Sequence, residues 1–410
     1  MHPRQQHDTC IAGMNSASLS RGLRIAVDAR RLYGRKRGVG QYVFELVRHL
    51  PRLGQKISLL LFVDRPLGAH CIPAGCRQVL VGRPFTTESQ SIAGPWPKVY
   101  SLYWMHRLVP LALKRERADL FHGTNCAVPL RATCPCIATI HDLIHARARG
   151  AFEPLYERYL KLAVPIAARR ARHIIADSSA TKMDLVETLG VEASRMTVIH
   201  LGVGSDFRLC ESSEELRRAR IELGLPDRFV LHVGAVERRK KLETLLEAAA
   251  PLLTRGLTDS VVLVGEEGVG SRDVRRTARV LGIEQQVLHL GYVPQERLPA
   301  LYSLAQVLSM ASVCEGFGMP VLEAMACGCP VVTSNTSSLP EVAGDAALMV
   351  APGDVAGLRQ ALERLLADAQ LRDDLRRRGL ARAREFSWES TAAGHLAVYR
   401  RVLSAIGSRS

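Results

Sequence analysis

The chain has 410 residues, of which 47% are hydrophobic and 23% charged, a composition typical of soluble globular proteins and long enough for two or three domains of roughly 100–200 residues. No run approaches the roughly 18–20 apolar residues of a membrane span, and Met1 to Ser20 holds one arginine and no apolar stretch, so a flexible N-terminus and a cytoplasmic protein without signal or anchor are predicted. The net charge is +15, and residues 1–200 supply all of it, with 29 Lys and Arg against 14 Asp and Glu, whereas residues 201–410 hold 26 of each. A surplus confined to one half points to an anionic partner there: nucleic acid, a membrane surface or a phosphorylated substrate.

In chain order, the apolar strand Leu23 to Asp28 is followed by a helical pattern from Tyr42 to Leu50 and a strand from Ile57 to Val63. Further strand-like runs at Leu120-Phe121, Cys136 to Ile140 and His173 to Ala176, each followed by a helical stretch, give βαβ units and a parallel sheet. Leu201 to Phe207 contains three turn formers and reads as a linker, with a helix from Ser213 to Leu223 beyond it. A second βα series runs through Phe229 to Val233, Ser260 to Val264, Gln286 to Leu290, Val307 to Met310 and Pro330 to Thr333, and ends in helices. The fold class is therefore α/β, with two doubly wound domains whose ligands are expected at strand carboxyl ends in the cleft between them.

The ten cysteines lack CxxC pairs or His/Cys ligand spacing and are read as reduced, mostly buried thiols, with no metal site. Arg37-Gly38-Val39-Gly40 follows the first strand too late, and without a third glycine, for a dinucleotide fingerprint. Gly38 and Gly40 still bring a helix N-terminus close to an anion, unless they form a plain turn. The absence of GxxxxGK[ST], HExxH, GxSxG and DxD favours chemistry without a metal. After the strand ending at Val233 stand four cations, Arg238 to Lys241, before a helix from Leu242 to Ala250. At a strand-to-helix switch they suit a phosphate group, with Arg as a fork and Lys as a point charge; a solvated charge run is the alternative.

The densest constellation is EGFGMPVLEAMACG, in which seven residues separate Glu315 from Glu323. Gly316 and Gly318 before Pro320 leave backbone N–H groups open at a helix start. Glu315 is placed to hold sugar hydroxyls and Glu323 to accept from a ribose diol. Ser338-Leu-Pro-Glu341 reads as a structural capping box, and His141 falls at a strand end, where the cleft is expected.

Together these segments resemble the retaining glycosyltransferases of family 4, in the GT-B superfamily of two facing Rossmann-like domains, over almost the whole chain. Gly234 to Leu242 resembles the family's VGxxxxRKN segment, with Lys241 where Asn is common. The resemblance implies that residues 21–205 bind the acceptor and 206–410 the nucleotide sugar. It further implies that Gly40 lies near the donor diphosphate and that Arg239 and Lys240 bind it. Glu323 would bind ribose, and Glu315 with the amides of Phe317, Gly318 and Met319 the donor hexose, beside His141. His141-Asp-Leu and Asp177 to Thr181 look most like members acting on GDP-mannose. The expected activity is transfer of a hexose, mannose first among them, to a glycan or lipid-linked acceptor in cell-surface polysaccharide synthesis. No cofactor is expected beyond the nucleotide diphosphate sugar, and no obvious carboxylate nucleophile favours a covalent intermediate. Val99 to Arg117 combines aromatic and basic side chains suited to a peripheral site on the inner membrane face, or to a domain helix with a basic face. The competing readings are a nucleotide-sugar epimerase of the same fold and a nucleic-acid-binding protein. The latter lacks an aromatic strand motif or helix-turn-helix signature.

Overall fold

The computed structural model describes residues 22–33, 38–54, 56–68, 71–82, 96–148 and 154–407; the N-terminal segment 1–20, Cys10 and Arg37 lie outside them. Among the described residues, the first half forms a parallel sheet of seven strands in the order β3-β2-β1-β4-β5-β6-β7. These are β1 (Leu23–Asp28), β2 (Ile57–Val63), β3 (Cys76–Leu80), β4 (Leu120–Gly123), β5 (Cys136–Ile140), β6 (His173–Ala176) and β7 (Met196–Val198). The second half forms a six-stranded parallel sheet in the order β10-β9-β8-β11-β12-β13. Its strands are β8 (Phe229–Val233), β9 (Ser260–Val264), β10 (Val287–Gly291), β11 (Val307–Met310), β12 (Val331–Ser334) and β13 (Leu348–Val350). The edge strands β3, β7 and β13 are absent from the sequence reading.

The central strands are mostly apolar because helices cover both faces of each sheet. On β1, Ile25 and Val27 enter one core and Ala26 the other. The first of these cores continues across both halves to the C-terminal helix Trp388–Gly407. That helix returns to the first sheet through a buried polar chain: His395 Nε2 lies 2.8 Å from the Tyr42 hydroxyl and the Tyr399 hydroxyl 2.8 Å from His122 Nδ1. Tyr42 and His122 in turn both meet the Thr139 hydroxyl on β5, each at 2.8 Å. The two halves are thus joined by apolar packing and by hydrogen bonds that have no competing water.

The strand order reverses between β1 and β4 in the first sheet and between β8 and β11 in the second. At such reversals the connecting helices leave on opposite faces, and the carboxyl ends open a crevice. The cationic cluster and the His141 cluster described below sit at these two places and at the adjacent carboxyl ends of β5 and β6.

Candidate active site

At the second reversal, the chain leaves β8 through a 3-10 turn, Arg238–Lys240, and enters the helix Leu242–Thr254. The four predicted cations divide: Arg238 and Lys241 are exposed, while Lys240 is buried and Arg239 half-buried. Lys241 stops the turn with φ of 52°, a left-handed conformation that Asn tolerates better than Lys, which accounts for the residue common there in the resembling segment. The Arg239 Nε donates to Glu237 Oε2 at 2.7 Å and its Nη1 to the Cys314 carbonyl at 3.1 Å. Nη1 also lies 2.9 Å from Glu315 Oε2, while Lys240 Nζ lies 2.5 Å from Glu315 Oε1. One carboxylate just beyond β11 therefore holds both cations, one on each oxygen.

Burial alone would push the Glu315 carboxyl up, but the adjacent Lys240 ammonium and Arg239 guanidinium hold it at about 2. Burial lowers the Lys240 ammonium, with Glu315 opposing. Arg239 is raised, because Glu315 and Glu237 outweigh its desolvation. The cluster of two cations and two carboxylates is neutral.

At the first reversal and the neighbouring strand ends, β5 delivers His141 and β6 delivers Asp177. His141 Nδ1 lies 2.6 Å from Asp177 Oδ2 and its Nε2 lies 2.8 Å from the Thr124 carbonyl. Both partners are acceptors, an arrangement satisfied by the doubly protonated ring. Burial pulls the imidazole down, but Asp177, by charge and hydrogen bond, reverses this and raises it. A ring that donates from both nitrogens has no lone pair to act as a base. Sequence reasoning missed Asp177 as the partner, although its place at the end of β6 was the signal.

The two halves meet at Gly316, where an added Cβ would lie 2.5 Å from the His141 carbonyl oxygen; any side chain there would separate the facing loops. The Ser178 hydroxyl donates to the Gly316 carbonyl at 2.8 Å. Ser338 and Glu341, read as a capping box, do something else. The Ser338 hydroxyl makes no cap bond and faces the carbonyls of Glu315 at 3.0 Å and Phe317 at 2.8 Å. Glu341 accepts from the Ser179 backbone and hydroxyl and pairs with His200 Nε2 at 2.6 Å. The capping reading is corrected: the serine braces the Glu315 loop, and the glutamate ties it to the other half.

The remaining predicted residues are dispersed. Gly38, with φ of 45°, precedes the helix Val39–His49, which begins earlier than the predicted Tyr42 and includes Gly40 in its first turn. Gly40 and His141 line one cleft of about 540 Å³. Met319 opens the helix Met319–Ala326 behind Gly318, and the Phe317 ring packs against Phe386 and His200. Glu323 stands apart from the cationic cluster. Its Oε2 accepts from the buried Tyr302 hydroxyl at 2.9 Å, and desolvation pushes its carboxyl up to about 7 against that bond. The larger cavity of about 940 Å³, under the amino ends of β5 and β6, contains none of the predicted site residues. The described cysteines are all free thiols, and no group of metal-ligating side chains occurs among the described residues.

Residues 36–207 match the family Glycosyltransferase Family 4 and residues 213–382 match Glycosyl transferases group 1. The chain is 32% identical over 381 residues to the O-antigen chain mannosyltransferase B of Escherichia coli, covering 88% of this chain and 96% of that protein. Among solved structures it is similar to sucrose-phosphate synthase from Thermosynechococcus elongatus, with a TM-score of 0.74 and 22% identity over 93% of this chain and all of that one. It is also similar to HepE of Anabaena in complex with UDP and glucose, with a TM-score of 0.70 and 19% identity over 92% and 99% of the two chains. Two parallel Rossmann-like sheets facing one cleft, with family matches across both halves, make this chain a GT-B hexosyltransferase of the group 1, family 4 glycosyltransferases.

Proposed function

We propose that the protein transfers mannose from GDP-mannose, with retention of configuration, to a glycan or lipid-linked acceptor in cell-surface polysaccharide synthesis. The observation that carries this reading is the Arg239, Lys240 and Glu315 cluster at the second reversal, facing His141 across the closed cleft. The donor diphosphate takes the two cations, and Glu315, released from them, accepts from hexose hydroxyls. The mannosyl assignment is supported by the similarity to a mannosyltransferase along nearly its whole length. In the reaction the bond from the anomeric carbon to the diphosphate oxygen breaks while the acceptor oxygen bonds to the same face. The acceptor proton passes to the departing phosphate, whose developing charge the two cations stabilise. Thermal-shift titration with GDP-, UDP- and ADP-sugars tests the donor, since a ligand of the native state raises apparent stability. Stabilisation by GDP-mannose alone, followed by acceptor-dependent release of GDP, is the expected result. Turnover of donor without acceptor, or a sugar adduct trapped on a side chain, contradicts the proposal.

Glu323 makes the donor step pH-dependent. A ribose diol binds the carboxylate and not the acid, so donor affinity rises between pH 6 and pH 8, and binding near pH 7 releases a proton as the group at about 7 ionises. The same raised value means that Glu323 favours the folded state most below its ordinary value of 4.5 and loses that contribution as pH rises through about 7. Titration calorimetry in buffers of different ionisation enthalpy reads the proton directly. Glu323→Gln should abolish its release and flatten the pH profile; an unchanged profile would remove Glu323 from donor binding.

No described helix is long and apolar enough to cross a membrane. The helices Trp96–Tyr103 and Val109–Glu116 expose Val99, Leu102, Tyr103 and Leu111, and Lys114, Arg115 and Arg117 are exposed at the end of the second, a combination suited to an anionic lipid surface at about 1 kcal/mol per basic residue. Binding to vesicles of anionic lipid, weak on neutral ones, should fall in salt and when the three cations are changed together to Gln. Equal cosedimentation with both vesicle types at low salt would refute the membrane assignment.

A further inference from the structure

The cleft shared by Gly40 and His141 is lined at its other side by three arginines whose charges are not equally spent. Arg30, directly after β1, is bound by Asp28 at 2.8 and 3.0 Å, by the Ser101 hydroxyl at 2.9 Å, and lies 3.8 Å over the Trp104 ring. Its charge is matched and its position fixed. Arg31 and Arg65 have no carboxylate partner among the described residues. The Arg31 guanidinium meets neutral groups, the Tyr156 hydroxyl and, with the Asn125 amide turned so that its oxygen accepts, that oxygen at 2.8 and 3.0 Å. Arg65 stacks 4.1 Å over the Tyr33 ring, whose hydroxyl accepts from the Arg65 backbone N–H at 2.8 Å. Both guanidinium groups are thus oriented by neutral partners and keep their charge and their remaining donors for something else. The same cleft receives the first turn of the helix Val39–His49, whose N–H groups add a positive end.

These cations belong to the half opposite Arg239 and Lys240, which already serve the donor in the function proposed above. We infer that Arg31 and Arg65 form an anion subsite for the acceptor, so that the accepting glycan carries a phosphate or diphosphate close to the hydroxyl that is glycosylated. The inference rests on the glycosyltransferase reading for its word "acceptor", but the anion subsite itself can be tested separately. A forked guanidinium pair suits the geometry of phosphate oxygens better than a neutral sugar ring, and the cleft of about 540 Å³ has room for a sugar unit beside it.

The test is a binding titration of the full chain with saturating GDP present to occupy the donor side. The probes are mannose 1-phosphate, octyl diphosphate and the uncharged methyl α-mannoside. The expected result is binding of the charged probes at least tenfold tighter than the neutral one. The double variant Arg31→Gln, Arg65→Gln should lose that advantage while its affinity for GDP stays unchanged. Preference for octyl diphosphate identifies a lipid-linked diphosphate acceptor; preference for mannose 1-phosphate identifies a soluble glycosyl phosphate. Equal affinity for charged and neutral probes, no binding of either charged probe, or charged binding that survives the double variant overturns the inference. Failure of GDP to bind, with the charged probes still held by Arg31 and Arg65, would instead overturn the donor reading and leave the anion subsite standing.

Discussion

Replacing Lys240 by Ala lowers kcat/KM for the nucleotide sugar by about two to three orders of magnitude, the range seen when a preorganised donor to developing negative charge is removed. The Lys240 side chain is 5% exposed and its ammonium lies 2.5 Å from Glu315, so its charge acts where water does not screen it. Part of the loss is in binding, since one charge-assisted bond to a phosphate oxygen is worth about 1.5–3 kcal/mol; the remainder falls on kcat, because the leaving diphosphate gains charge as the glycosidic bond breaks. The fold survives, for Glu315 keeps Arg239 at 2.9 Å. Steady-state kinetics alongside thermal unfolding separates the two. A variant that binds donor and turns over like the parent would mean that the cations of this turn serve only to pin the loop.

What the sequence made legible follows a physical rule. β1, β5, β8 and β11 are central strands covered on both faces, so their apolar runs stand out, and strand ends pointed to His141 after β5 and the cationic turn after β8, while Glu315 beyond β11 came from its Gly- and Pro-containing motif. The edge strands β3, β7 and β13 carry no such signal, although the edge strand β10 was read from its apolar run. Cys76–Leu80 exposes Arg77 and Leu80, and Met196–Val198 spans three residues. Side-chain partnerships between distant segments were equally silent. His141 and Asp177 are 36 residues apart, and Ser179 and Glu341 are 162 apart; closure of the sheet and the cleft, not local spacing, makes each pair. Ser338 and Glu341 show the converse failure, because a spacing that fits a helix cap was used to brace the Glu315 loop from Ser338 and to reach the other half from Glu341. The EGFGMPVLE segment was read as a unit, yet its two glutamates have opposite surroundings, Glu315 between two cations and Glu323 beside one hydroxyl. Residue type and spacing do not encode that difference; the neighbours that each side chain meets after folding do.

Glu315→Gln is expected to be the most destabilising of these substitutions, because it leaves the buried Lys240 and the half-buried Arg239 facing a neutral amide. Removing one partner of a buried ion pair costs about 3–5 kcal/mol, and here Arg239 retains Glu237 at 2.7 Å while Lys240 loses its ion-pair partner. The pH dependence identifies the cause. A carboxyl held at about 2 in the folded protein, against an ordinary 4.5, adds stability that is fully present above 4.5 and is lost as pH falls through about 2. The gap in stability between parent and variant should therefore be wide at pH 7 and narrow progressively below pH 4.5. A gap constant from pH 7 to pH 3 would assign the loss to packing and not to charge. Binding should separate in the same variant. Arg239 and Lys240, no longer held by Glu315, remain available to the diphosphate of GDP, so affinity for free GDP is kept or increased, while the full nucleotide sugar loses the acceptor for its hexose hydroxyls and transfer falls. Equal losses for GDP and for the nucleotide sugar would show that Glu315 acts on the diphosphate side alone, through the cations it holds.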